Sequence, residues 1–167
     1  MSLVTHNSER FMYSEAKDLT KTENSTAMFW RAILNREFPA DRQLYTFQEW
    51  PPFNKRGNCR VYCFKDRTKR TFLYVEFKRA DSTSAKLQEG YHQVTEYCKR
   101  YLRRTGHVQI DCMLCYGTHA AHWHLSRNAD FYFMSTMRPV IDFIDADAPR
   151  AVELTRRFRF LRKTYGK

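Results

Sequence analysis

The run Phe72-Leu73-Tyr74-Val75-Glu76-Phe77-Lys78 stays apolar until its last residues, where an acid and a base stand two positions apart. Side chains of an extended strand alternate between faces, so Glu76 and Lys78 project from one side, about 7 Å apart. A carboxylate and an ammonium emerging together at a strand end suit phosphodiester hydrolysis. The carboxylate holds a hard divalent cation, and the lysine orients or helps deprotonate the attacking water. The plainer reading of Glu-x-Lys is a solvated ion pair, so the weight of the pattern depends on the elements around it.

Those elements can be read from periodicity. After Lys78 comes a polar turn with Asp81, Ser82 and Ser84 as candidate caps. Leu87, Tyr91, Val94, Cys98 and Tyr101 then follow at alternating spacings of four and three, which predicts a helix that Gly106 stops. Gln93 and Tyr97 lie one turn apart on that helix. Upstream, residues 59–65 and 71–78 are two β-rich runs joined by a charged turn over 66–70, a hairpin. A register centred on Thr68 sets Lys78 opposite Asn58 and Glu76 opposite Arg60, which would favour a cross-strand ion pair. Earlier still, Met28, Phe29, Ala32 and Ile33 follow Asn24 or Ser25 at helical spacing, and that helix ends before Pro39. Leu44, Tyr45 and Phe47 suggest a short strand ahead of the breakers Pro51, Pro52 and Gly57. Downstream, residues 108–116 read as a strand buried on both faces, and 123–125 and 130–134 as short strands. Pro149 suits the first position of a last helix that includes Val152, Phe158 and Leu161. Residues 1–24 read as an arm or short helix, with Ser14 a possible cap, and 25–167 as one domain. A hairpin feeding a helix that leads into a buried strand implies an α/β fold with a mixed central β-sheet flanked by helices.

A hairpin ending in Glu-x-Lys and running directly into a helix with Gln93-Val94-Thr95-Glu96-Tyr97 resembles the restriction-endonuclease-like, or PD-(D/E)XK, nuclease superfamily over roughly residues 23–134. The helix element looks like the Gln-x-x-x-Tyr of its RecB-type branch. The resemblance implies a restriction-endonuclease-like fold and a Mg²⁺- or Mn²⁺-dependent hydrolase acting on DNA or RNA. Glu76 would bind metal, Lys78 would position the water, and Gln93 with Tyr97 would support the site or contact substrate. Glu23 would be the carboxylate such proteins often carry on their first helix, with Glu37 in reserve. The chain departs from the pattern where the superfamily expects an aspartate early in the preceding strand. Asn58 occupies that place and offers a neutral oxygen without charge. Either the acid comes from elsewhere, such as Glu49 or Asp41, or catalysis has been lost and the domain serves as a nucleic-acid-binding or protein-interaction module.

Composition agrees with a polyanionic partner. Lys and Arg total 29 against 18 acids, a formal net charge of +11, and nucleic acid is the first partner such a field suggests. Lys55, Arg56, Arg79, Lys99, Arg100, Arg103 and Arg104 are the candidate phosphate contacts, with a further cluster of Arg156, Arg157, Arg159, Arg162 and Lys163. The five cysteines form an odd set within apolar segments, which fits reduced thiols and an intracellular setting, cytoplasmic or nuclear. No signal-peptide run or membrane-length apolar stretch occurs. Cys112 and Cys115 have CxxC spacing, with His119, His122 and His124 close behind, an inventory that would suit zinc. Positions three apart on a strand point to opposite faces, however, so zinc is disfavoured and the cysteines are expected as small core fillers. His122 and His124 share a face, either as strand-surface histidines or as base-stacking groups.

Overall fold

A computed structural model describes residues 2–48, 59–65, 68–128, 131–134 and 142–166. Their order is α1 (Asn7–Lys17), α2 (Glu23–Glu37), β1 (Leu44–Gln48), β2 (Cys59–Lys65), β3 (Thr68–Lys78), α3 (Ser84–Thr105), β4 (Gln109–Tyr116), β5 (His119–Asn128), β6 (Phe131–Met134), β7 (Ile144–Asp145) and α4 (Ala151–Tyr165). Six strands pair in the sequence β1-β2-β3-β4-β5-β6, with β7 added against β5. Every pairing is antiparallel except β3 with β4, which are parallel and joined through α3. Parallel neighbours require a crossover, and α3 supplies it.

The sheet is covered on both faces, and the alternation of its strands divides the core into two. On one side Leu73, Val75 and Phe77 of β3 pack with Met113 and Cys115 of β4 against Phe29, Trp30 and Ile33 of α2 and Leu154, Phe158 and Leu161 of α4. Leu3, Val4 and Ala16 of the first 24 residues join this cluster. On the other side Tyr74 of β3 and Cys112 and Leu114 of β4 pack against Val94, Cys98 and Leu102 of α3. The chain is thus an α/β protein with a mixed sheet flanked by helices. Among the described residues no helix is long and apolar enough to cross a membrane.

Several boundaries differ from those the sequence suggests. The hairpin turn is shorter: Lys65 pairs with Thr68, so β3 begins at Thr68 instead of position 71. The register also slips by one residue between Val61 and Tyr62, where Val61 faces Leu73 but Tyr62 faces Thr71. Phe72 is the extra residue, and the bulge lets both it and Leu73 enter the α2–α4 core. Arg60 consequently faces Tyr74, not Glu76. Thr83, not Asp81, Ser82 or Ser84, caps α3, its hydroxyl accepting from the Lys86 amide at 3.4 Å. Ser14 lies inside α1 and bonds the Phe11 carbonyl at 2.7 Å. The start of α1 is held instead by Glu9, whose carboxylate accepts the amides of Thr5 at 2.8 Å and His6 at 3.1 Å. Pro149 lies two residues before α4, outside the helix. The short strand expected at 123–125 extends over all of His119–Asn128, because β5 pairs with β4 along its whole length.

Candidate functional site

β3 and β4 run parallel and end together, Lys78 facing Tyr116. Glu76 and Lys78 lie on the α3 face of that end, and the helix that follows passes directly over them. Lys78 Nζ donates to Glu76 Oε1 at 2.8 Å and to Gln93 Oε1 at 3.5 Å. Gln93 Nε2 in turn donates to Glu89 Oε1 at 2.8 Å. The pair is not a solvated surface bridge: the side chains of Lys78 and Glu76 are 20% and 10% exposed. Three of the four residues singled out for catalysis therefore meet in one cluster. The fourth, Tyr97, lies one turn further along α3, where its ring stacks on Tyr74 at 4.1 Å and 21°. Burial raises its hydroxyl pKa above the ordinary tyrosine value, although the charge of Arg60 opposes the shift. Tyr97 thus roofs the strand residue that precedes Glu76 on the same face.

Two members of this cluster are not singled out by sequence reasoning. Glu89 becomes relevant only because it shares a helix face with Gln93. Gly90 carries a sequence signal, a glycine inside a long helix, where it costs about 1 kcal/mol relative to alanine. A Cβ at that position would lie 2.9 Å from Lys78 Cε and 3.1 Å from Leu114 Cδ1. The missing side chain makes room for the lysine stem.

The remaining candidates are dispersed. Glu23 is in the first turn of α2, a helix held to this end of the sheet where Thr26 Oγ1 accepts the Gly117 amide and Trp30 Nε1 donates to the Gly117 carbonyl, both at 3.0 Å. Gly117 directly follows Tyr116, the partner of Lys78, so α2 starts near this end of the sheet, but in the layer opposite the α3 face that carries Glu76 and Lys78. Glu37 is turned toward α4, with Arg36 at 3.0 Å and Arg162 at 3.6 Å. Asp41 is exposed in a short 3-10 turn. Asn58, Glu49, Lys55 and Arg56 lie outside the described residues. Arg79 bridges Asp81 at 3.0 Å, and Lys99 bridges Glu96 at 2.7 Å. Arg100, Arg103 and Arg104 are exposed on the C-terminal half of α3, and Arg103 is about 15 Å of helix away from Gln93.

The histidines have a different setting from either one expected. On the α4 face, Asp111 of β4 is buried and meets His122 Nε2 at 2.5 Å, His124 Nδ1 at 3.3 Å and Arg157 Nε at 2.7 Å. Ser126 Oγ lies 2.9 Å from His124 Nε2. Burial alone would raise the Asp111 pKa, but hydrogen bonds from His122 and His124 and the charge of Arg157 hold it well below the ordinary aspartate range. His122 and His124 are neither free surface groups nor base platforms. They help a buried carboxylate fasten α4 to the sheet. A two-residue turn at Gly117-Thr118, read as a tight hairpin, would have signalled the pairing of Asp111 with His124.

Cys112 packs in the α3 layer and Cys115 in the α2–α4 layer, so their sulfurs face opposite sides of the sheet. Burial pushes both thiols well above their ordinary pKa, which keeps them protonated. Among the described residues no group of three or more His, Cys, Asp and Glu side chains is arranged to hold a metal ion. A cleft of 410 Å³, lined by Cys63, Phe64, Arg70, Gln109, Thr164, Tyr165 and Gly166, lies toward the turn end of the hairpin. That cleft lies away from the cluster of Glu76, Lys78 and Gln93. Comparison with protein-family models, curated proteins and solved structures yields no match to this chain.

Proposed function

We propose that the chain is a divalent-metal-dependent hydrolase of nucleic-acid phosphodiester bonds, with a restriction-endonuclease-like arrangement. The observation that carries this reading is the cluster of buried Glu76 and half-buried Lys78, with exposed Gln93 at its rim, where β3 ends and α3 passes overhead. Two charged side chains held together in a place of reduced solvation, with an amide at the rim, are what positioning a water against a phosphate requires. The resemblance to PD-(D/E)XK nucleases rests on the same residues in the same order.

The donor chemistry fits Mg²⁺ or Mn²⁺. Mg²⁺ is usually bound by one or two carboxylates, with water and substrate phosphate completing its shell. Glu76 is the donor, and Glu89 is the second carboxylate of the cluster, joined through Gln93. Once bound, the ion would polarise the phosphoryl oxygen and lower the pKa of a coordinated water. Lys78 holds its ammonium beside Glu76, orients the nucleophile and offsets charge developing on phosphate. Gln93 keeps that ammonium in place.

A second reading follows from the hairpin register. The described pairing of β2 begins at Cys59, which faces Val75, and the sequence carries Asn58 where the superfamily expects an aspartate. This favours a nuclease-like domain that binds nucleic acid without cutting it. Incubation of labelled single- and double-stranded DNA and RNA with Mn²⁺, Mg²⁺ or EDTA separates the two. Divalent-dependent cleavage that Glu76→Gln and Lys78→Ala abolish in folded protein supports the hydrolase. Binding without cleavage by the wild type supports the second reading.

A further inference from the structure

The sheet face that carries Glu76 and Lys78 continues across β2 to β1, beyond α3, which lies over β3, β4 and β5. Cys59, Val61 and Cys63 of β2 are buried in the α2–α4 layer, so alternation turns Arg60, Tyr62 and Phe64 to the α3 side. Tyr45 of β1 pairs with Tyr62, and Lys69 of β3 pairs with Phe64. Their side chains form one patch. Tyr45 and Tyr62 are stacked, with centroids 5.5 Å apart and an interplanar angle of 23°. Phe64 stands edge-on to both, at 5.9 and 5.7 Å. Lys69 Nζ lies 4.0 Å from the Tyr62 centroid, and the Arg60 guanidinium lies 5.7 Å from that of Tyr97. Phe64 is 44% exposed.

We infer that this patch is a stacking platform for the bases of a single-stranded nucleic acid, whose backbone runs from it along β2, past Arg60 and beside α3, toward the sheet end that carries Glu76 and Lys78. The inference rests on the reading of that pair as a phosphodiester site. Phe64 is exposed and Tyr45 and Tyr62 are half-buried, and aromatic rings interleaved with cations on a sheet surface recognise unpaired bases, because each base offers a π face whatever its identity. A duplex hides those faces within its own stack, so the platform selects strands with splayed bases. Lys69 and Arg60 set two cations beside the rings. Their charge suits a phosphate chain and disfavours a basic peptide. The route lies beside α3, because Thr71 and Tyr74 of β3 are buried beneath it, whereas Arg60, two residues from Tyr62 on β2, pairs with Tyr74, two residues before Glu76. Thr71, opposite Tyr62, precedes Glu76 by five residues, so the span is about 17 Å of strand.

The test is fluorescence anisotropy with fluorescein-labelled oligothymidylate, oligouridylate and a mixed-sequence duplex, in EDTA at low salt. Either or both single strands bind at least about ten-fold more tightly than the duplex. Tyr62→Ala with Phe64→Ala lowers single-strand affinity by about ten-fold or more, the scale of one lost base stack. Lys69→Gln lowers the slope of affinity against salt by about one phosphate contact. Phe64 is exposed, so Phe64→Ala alone serves if the double variant does not fold. Equal affinity for duplex and single strand, or unchanged affinity in Phe64→Ala and Lys69→Gln, overturns the platform. A wild-type chain that binds as described yet cleaves nothing supports the platform and removes only the hydrolytic reading.

Discussion

Replacing Gly90 by alanine tests whether the lysine of the cluster is held where the fold puts it. A glycine inside the 22-residue α3 costs about 1 kcal/mol relative to alanine, so the substitution stabilises the helix in isolation. The new methyl lies 2.9 Å from Lys78 Cε, closer than two carbons settle, and 3.1 Å from Leu114 Cδ1. Lys78 Cε is near the far end of a flexible chain and swings away, whereas Leu114 gives by a few tenths of an ångström. Glu76, its side chain 10% exposed, then loses its 2.8 Å partner, which costs about 1–3 kcal/mol. The opposing contributions leave unfolding within about 2 kcal/mol of wild type, read by urea denaturation with circular dichroism. Divalent-dependent cleavage falls by about 100-fold, as expected when a positioned group is displaced. A variant about 1 kcal/mol more stable than wild type, with cleavage intact, would refute the placement of Lys78 over Gly90.

Three further outcomes follow from the same geometry. Asp111→Asn removes a buried charge that three cationic or potentially cationic groups surround, and lowers stability by about 3 kcal/mol in denaturant titration. Because the Asp111 pKa is depressed in the folded state, its contribution is fully present above the unfolded value of about 3.9 and is lost as pH falls below it. Wild-type stability therefore declines steeply in acid, and the Asp111→Asn profile is flatter there. Mn²⁺ raises the thermal midpoint of wild type with the logarithm of its concentration above Kd, and Glu76→Gln abolishes that rise; an equal rise in both proteins would place the ion elsewhere. Gly106, with φ at 73° and nothing within 4 Å of an added Cβ, pays only backbone strain when changed to alanine, about 1 kcal/mol in urea unfolding.

The candidate site was legible in sequence because its parts are local. Glu76, Lys78, Gln93 and Tyr97 belong to two consecutive elements, and the periods of strand and helix decide which of them share a face. The same periods revealed α2, the core of α3 and the buried character of β4. Hairpin register was not accessible in this way. The charged stretch 66–70 looked like one long turn, yet pairing resumes at Thr68, and a single bulge residue, Phe72, resets every cross-strand neighbour beyond it.

The sequence by itself determined that an acid, a base and an amide would stand on adjoining surfaces of β3 and α3, and that the chain would carry a strong positive charge. Tertiary structure alone decided what each surface meets. Period two says that His122 and His124 point the same way, but not that the buried carboxylate of Asp111 waits there with Arg157 from 46 residues further on. It likewise leaves open that Lys78 lies over Gly90 and that α3 packs chiefly on β3, β4 and β5. The physical reason is that backbone periodicity is set by neighbours in the chain, whereas the choice of layer, register and partner is set by how all the apolar faces are buried at once.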